Sequence, residues 1–248
     1  MAHTIGTYEH QLSIEHATLS RCLERIAGVE HQVEKVRDRC TAFIVEAQEI
    51  LSHRNSTNVS YESLDQMIKG FARTHASTLK QVERILSHVP DGLGAIDAAS
   101  KNADIEFKQV HVRLPAQLVR IHNNAKRAVR VTRDDRTRIN NDTHKISEHL
   151  SRAISYLHNV MIRDIKQARK EDSFTLKTLG REFESLSHAK DLTAWAHTAL
   201  KGEIAHVRVL EGHVRSAVET IEREIEGIHK LQQFAQHKDP FGHLDRAA

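Results

Sequence analysis

The 248 residues include only three prolines and ten glycines, and 36 Lys and Arg offset 33 Asp and Glu to leave a net charge of +3. So few chain breakers exclude an all-β protein built on tight turns, and also a disordered chain, which would be richer in them. With 39% apolar, 28% charged and 4% aromatic residues, the composition predicts an all-α fold. We expect an elongated, antiparallel, coiled-coil-like bundle of four to five long helices.

The first helix is the clearest. Leu12, Leu19, Ile26, Val33, Cys40 and Ala47 fall at heptad position a, and Glu15, Cys22, Val29, Val36, Phe43 and Ile50 at d. All but Glu15 are apolar, a sustained heptad seam. Leu23, Ile44 and Leu51 widen the stripe at e, which suits a bundle of three or more helices rather than a two-stranded zipper. Asn55, Ser56, Thr57 and Asn58 should stop this helix, because their side chains compete for backbone hydrogen bonds.

Ser60 is the expected cap of a second helix. Its seam is Tyr61, Leu64, Ile68, Phe71, Val82, Ile85 and Val89, with His75 and Thr78 forming a polar layer on the core face. The run Pro90-Asp91-Gly92-Leu93-Gly94 should end it. From Ala95 to Pro115 a looser helical period continues through Ile96, Ala99, Ala103, Val110 and Leu114. Leu118, Ile121, Ala125 and Ala128 extend it beyond the proline. Between Thr132 and Lys145 only Ile139 is strongly apolar, so a polar waist results, with Asn140-Asn141-Asp142 as the place for a break. A continuous or kinked helix is favoured there, since Ile146, Leu150, Ile154, Leu157, Met161 and Ile165 resume the stripe. Ser173 should cap a final long helix running from Leu176 to Asp239-Pro240. No repeat and no Gly/Ser linker occurs, so 1–248 reads as one elongated helical domain. A subdivision is possible near 90–94, and 239–248 would be a short flexible tail.

Cys22 and Cys40 lie on one helix about 27 Å apart at 1.5 Å per residue, too far for an intrachain disulfide. Reduced thiols in an apolar seam favour the cytoplasm. The N-terminus shows no basic stretch followed by an apolar one, and no apolar run approaches the ~20 residues needed to span a bilayer. The expected location is cytoplasmic. Histidine is abundant at 19 residues. Full protonation would carry the formal charge from +3 to +22, so solubility and association should depend on pH.

Charge is concentrated in one segment. Lys108, Arg113, Arg120, Lys126, Arg127, Arg130, Arg133, Arg136 and Arg138 face only Asp134 and Asp135 over 108–138, a net +7. Such a cluster suits an anionic surface, and the planar guanidinium fork suits phosphate. No Phe, Tyr or Trp interrupts the segment, so stacking on single-stranded bases has no platform. The plainer reading is a solvated face, or pairing with acids such as Glu222, Glu224 and Glu226.

Two E-x-x-H pairs, Glu203/His206 and Glu226/His229, have the spacing used in ferritin-like di-metal sites. Both fall on one helix about 35 Å apart, however, and such a site needs motifs on different helices. His144, Glu148 and His149 cluster in sequence without sharing one helical face. His75 reads as a packing residue. No phosphate loop, nucleophile elbow, zincin motif or C-x-x-C is present. We therefore expect no catalytic residues, no metal, no cofactor and no small-molecule substrate.

These features lead to a non-enzymatic helical scaffold or interaction protein that self-associates, or binds another helical protein, through its apolar seams. The alternative is a peripheral binder of anionic surfaces through 108–138. Membrane headgroups are the favoured partner and nucleic acid the weaker one. As architecture alone, long helical hairpins with a basic stretch resemble membrane-shaping modules of the BAR and phage-shock types. No motif of theirs is present, and no residue role is carried over.

Overall fold

A computed structural model describes the backbone of residues 2–56, 58–97, 116–167 and 176–237, and the side chains of 6–56, 58–97, 119–162 and 178–233. The protein is an all-α bundle, with no strand among the described residues. Its helices are α1 (Ala2–Ser52), α2 (Tyr61–Ser87), the one-turn α3 (Val89–Gly92), α4 (Ala116–Gln167) and α5 (Leu176–His237), with a 3₁₀ turn at His53–Asn55. The loose period over 98–115, the cap at Ser173 and the tail 239–248 lie outside the described residues.

Each boundary has a local cause. The α1 helix gives way to the 3₁₀ turn at His53, and Ser56 is extended, so the polar run ends it as expected. The side chain of Ser60 then accepts a hydrogen bond from the Ser63 amide at 3.2 Å, capping α2. At the other end α2 stops one residue earlier than its proline requires. The His88 amide turns back to the carbonyls of Ile85 and Leu86, and Pro90 sits in the first turn of α3. A proline is tolerated there because the first turn has no intrahelical partner for its missing N–H.

The chain packs into two compact units. The first comprises Met1–Ala27, Gly92–Thr137 and Arg208–Ala248, so segments of α1, α4 and α5 surround its core. Tyr8, Leu12, Leu19, Ile121, Ala125, Val129, Leu210, Val214 and Ile221 are buried in it. The second comprises Gly28–Asp91 and Arg138–Val207 and adds α2 to the other three helices. At its centre Phe43 and Phe71 meet at 5.0 Å between ring centroids, and His75 lies edge-on to Phe43 at 5.2 Å.

Within each unit α4 and α5 run antiparallel in a fixed register. In the first, Asn124 and Asp135 on α4 meet Glu224 and His213 on α5. In the second, His149 and Tyr156 meet Trp195 and His188. An advance along α4 is matched by the same retreat along α5, as straight antiparallel helices require.

The polar waist does not break α4, which is continuous through Asn140-Asn141-Asp142. Its inward positions are filled by Thr132, Asp135, Ile139 and Thr143, all buried. The polar ones are satisfied from inside. Thr132 Oγ1 donates to the Val129 carbonyl at 2.7 Å, Asp135 pairs with His213, and Thr143 Oγ1 donates to Glu203 Oε1 at 2.6 Å. The Asp135–His213 and Thr143–Glu203 pairs between helices replace aliphatic contacts on either side of Ile139, so the helix keeps its buried face with few apolar residues.

Candidate anion-binding face

The basic segment falls mostly on the first unit, where its side chains divide by their position on the helix. Ile121, Ala125, Val129 and Thr132 form the buried face of α4. At 3.6 residues per turn, Arg120, Arg127 and Arg130 recur seven and then three residues apart on the opposite side. All three are exposed, and none forms an ion pair among the described residues. Lys126 and Arg133 are exposed as well. Asp134 is the single acid on the outward side of 120–134, because Asp135 is turned inward onto His213.

The other members go elsewhere. Arg136 is drawn in to pair with Asp97, its side chain only 13% exposed, and burial lowers its pKa. Arg138 is exposed but belongs to the second unit. Lys108 and Arg113 lie outside the described residues. Of the acids on α5, Glu224 Oε1 accepts from Asn124 Nδ2 at 2.8 Å, while Glu222 and Glu226 are exposed.

A shallow groove of about 350 Å³ opens beside Arg127, between α4 and α5. Arg223 forms its far wall and donates to the Glu219 carbonyl at 3.1 Å and to Thr220 Oγ1 at 3.3 Å. Arg127, Arg223 and the acid Glu224 therefore border one concavity. Arg223 was invisible to the segment count because it lies on α5, about 100 residues from Arg127. Only the α4–α5 register brings them together.

Most of the α1 and α2 seams are buried within the chain. All twelve a and d positions of α1, from Leu12 to Ile50 and including Glu15, are buried within the chain, as are Leu64, Ile68, Phe71 and Val82 on α2. The chain's own helices cover these positions, while Tyr61 at the start of the α2 seam is exposed. Among the described residues, the large apolar side chains that remain exposed are Ile14, Val45, Tyr61, Met67, Val131, Ile162, Trp195 and Val209, dispersed over all four long helices.

The remaining histidine features separate. His75 Nε2 lies 2.7 Å from Glu46 Oε2, whereas Thr78 donates to the Thr74 carbonyl; the expected His75/Thr78 layer is instead a His75–Glu46 pair against two phenylalanines. Glu148 pairs with Arg152, and His149 stacks on Trp195 with ring centroids 3.7 Å apart, so the His144/Glu148/His149 group does not converge. His229 Nε2 meets Glu9 at 2.6 Å while Glu226 is exposed, which dissolves that E-x-x-H pair. The other pair behaves differently. Glu203 is 1% exposed, and burial pushes its carboxyl up to about 7 against the lowering effect of the Thr143 hydrogen bond, with Asp142 adding to the rise. Its helix neighbour His206 faces Asp142 of α4, with 3.1 Å between Nδ1 and Oδ2.

Both cysteines are buried and unlinked. Burial raises the Cys22 thiol and pushes Cys40 up to about 12, so each is held as a neutral apolar filler. No described helix is long and apolar enough to cross a membrane. Comparisons of the chain with protein-family models, curated proteins and solved structures find no match.

Proposed function

We propose that this protein is a non-enzymatic, peripheral binder of anionic membrane surfaces, acting in the cytoplasm through the outer face of α4 in the first unit. One observation carries the reading. Arg120, Arg127 and Arg130 stand exposed, with no acidic partner among the described residues, on one side of a helix whose other side is packed. Holding like charges together without neutralising them raises the energy of the free protein, and an anionic partner relieves it. The three residues span about 15 Å along the helix, a length that covers several headgroups in a plane. The groove between Arg127 and Arg223 supplies a recess with an arginine on each wall, and Glu224, which also lines it, is held by Asn124. Lipid is favoured over single-stranded nucleic acid because the face bears no aromatic ring for bases to stack on.

The test is co-sedimentation of the full chain with phosphatidylcholine vesicles containing 30% phosphatidylserine. We expect retention that falls steeply between 50 and 300 mM salt. Combined Arg120→Glu, Arg127→Glu and Arg130→Glu substitutions should abolish it. Lys35→Glu, Lys80→Glu and Arg84→Glu on the second unit make the same charge change and should leave most of it. Equal loss in both triple variants would reduce the effect to net charge and defeat the assignment. Retention of duplex DNA with no retention of vesicles would transfer the face to nucleic acid.

A further inference from the structure

The sequence shows Glu203 and His206 as half of a metal motif and offers no second helix to complete it. The α4–α5 register supplies that helix, because Asp142 stands opposite the pair in the second unit. We propose that Asp142, Glu203 and His206 form a site for one divalent first-row transition-metal ion, of the zinc or manganese type.

The three side chains each offer a ligand atom, and these atoms all lie within 4.8 Å of one another. His206 Nδ1 and Asp142 Oδ2 are 3.1 Å apart. Neighbouring ligands of an ion bound at about 2.0–2.2 Å are separated by roughly that distance. Glu203 provides the independent sign. It is 1% exposed, Thr143 occupies Oε1 at 2.6 Å, and the buried Oε2 has no hydrogen-bond partner. A buried carboxylate oxygen is not normally left in that state, and a cation satisfies it. Thr143 then plays a positioning part by fixing the carboxylate so that Oε2 is the atom presented to the ion. Asp142 and His206 are about one-third exposed, so an ion can enter from solvent and water can complete its coordination. The imidazole ligand selects for transition metals over calcium and magnesium, which prefer oxygen alone. Since the ligands come from two helices, binding would staple α4 to α5 within this unit.

The experiment uses the full chain stripped with chelator and titrated with ZnCl2 or MnCl2, following calorimetric heat and thermal unfolding. With 19 histidines, weak zinc sites will occur, so the readout is the single tightest equivalent. We expect one such equivalent and a rise in Tm of about 5 °C at a hundredfold excess over Kd. Asp142→Asn and His206→Gln should each weaken that equivalent at least tenfold, whereas His213→Gln should not affect it. Glu203→Gln keeps the shape and removes the buried charge. Its metal-free form should be at least as stable as the parent, yet gain no Tm from metal, which separates loss of the site from loss of folding. Absence of a tight equivalent with either ion, or its persistence in Asp142→Asn and His206→Gln, would overturn the proposal.

Discussion

Glu9 shows how single residues tie distant parts of the chain together. Its carboxylate accepts from Gln232 Nε2 at 2.8 Å and lies 2.6 Å from His229 Nε2, and these contacts hold its pKa below the ordinary 4.5. A carboxylate with a depressed folded value contributes stability above its unfolded pKa and loses that contribution as pH falls through the folded one. Between pH 5 and 3 the Tm should therefore fall more steeply in the parent than in Glu9→Gln. His229 is half exposed and Glu9 about a quarter, so the difference should not exceed about 3 °C. Parallel melting curves over that range would refute the coupling. None of this was legible beforehand, because the partners are more than 200 positions apart. His75 was legible as a core histidine from its place on the α2 seam. Its partner Glu46 was not, since that depends on how α1 and α2 are rotated against each other.

At the level of elements, legibility follows the strength of the apolar period. The α1 seam was readable because burying aliphatic residues every three to four positions is the main force that orders such a helix. The α2 cap was readable because Ser60 acts on amides only three residues away. The waist of α4 was harder. Its inward residues are polar, and polar residues look the same in sequence whether they face solvent or a buried partner. Ile139 marks the inward side, fully buried. Ile139→Ala should cost about 2–5 kcal/mol in urea unfolding, as buried aliphatic truncations do. Ile162→Ala, on the same helix but 49% exposed, should stay within about 0.5 kcal/mol. Equal losses at the two positions would mean that the waist is not held by its buried face. The proline stop was read one step too broadly. Pro90 sits in the first turn of a short helix that begins at Val89, and the turn at His88 is what ends α2.

For the whole molecule, the dominant quantity is charge. At neutral pH the chain carries only +3, and protonation of its 19 histidines would take it toward +22. Vesicle retention by the basic face should therefore strengthen between pH 7.5 and 5.5, by about tenfold at constant salt, since the protein's field adds to the local attraction of the arginines. Retention that is flat across this interval would confine binding to the arginines alone. The thiols give no competing pH response there, because burial keeps both neutral.

By itself the sequence determined the helical class, most of the α1 and α2 seams and the presence of a basic segment. These depend on local propensity and on periods of a few residues, and both survive in a linear string. Tertiary structure alone decided which charges stay exposed. It placed Arg136 against Asp97, set Arg223 across a groove from Arg127, and brought Asp142 to Glu203 and His206. Each of these pairs spans a distance along the chain that only the packing of one helix on another can close. The same packing buried most of the α1 and α2 seams and left exposed the outer face of α4, the surface on which function is proposed.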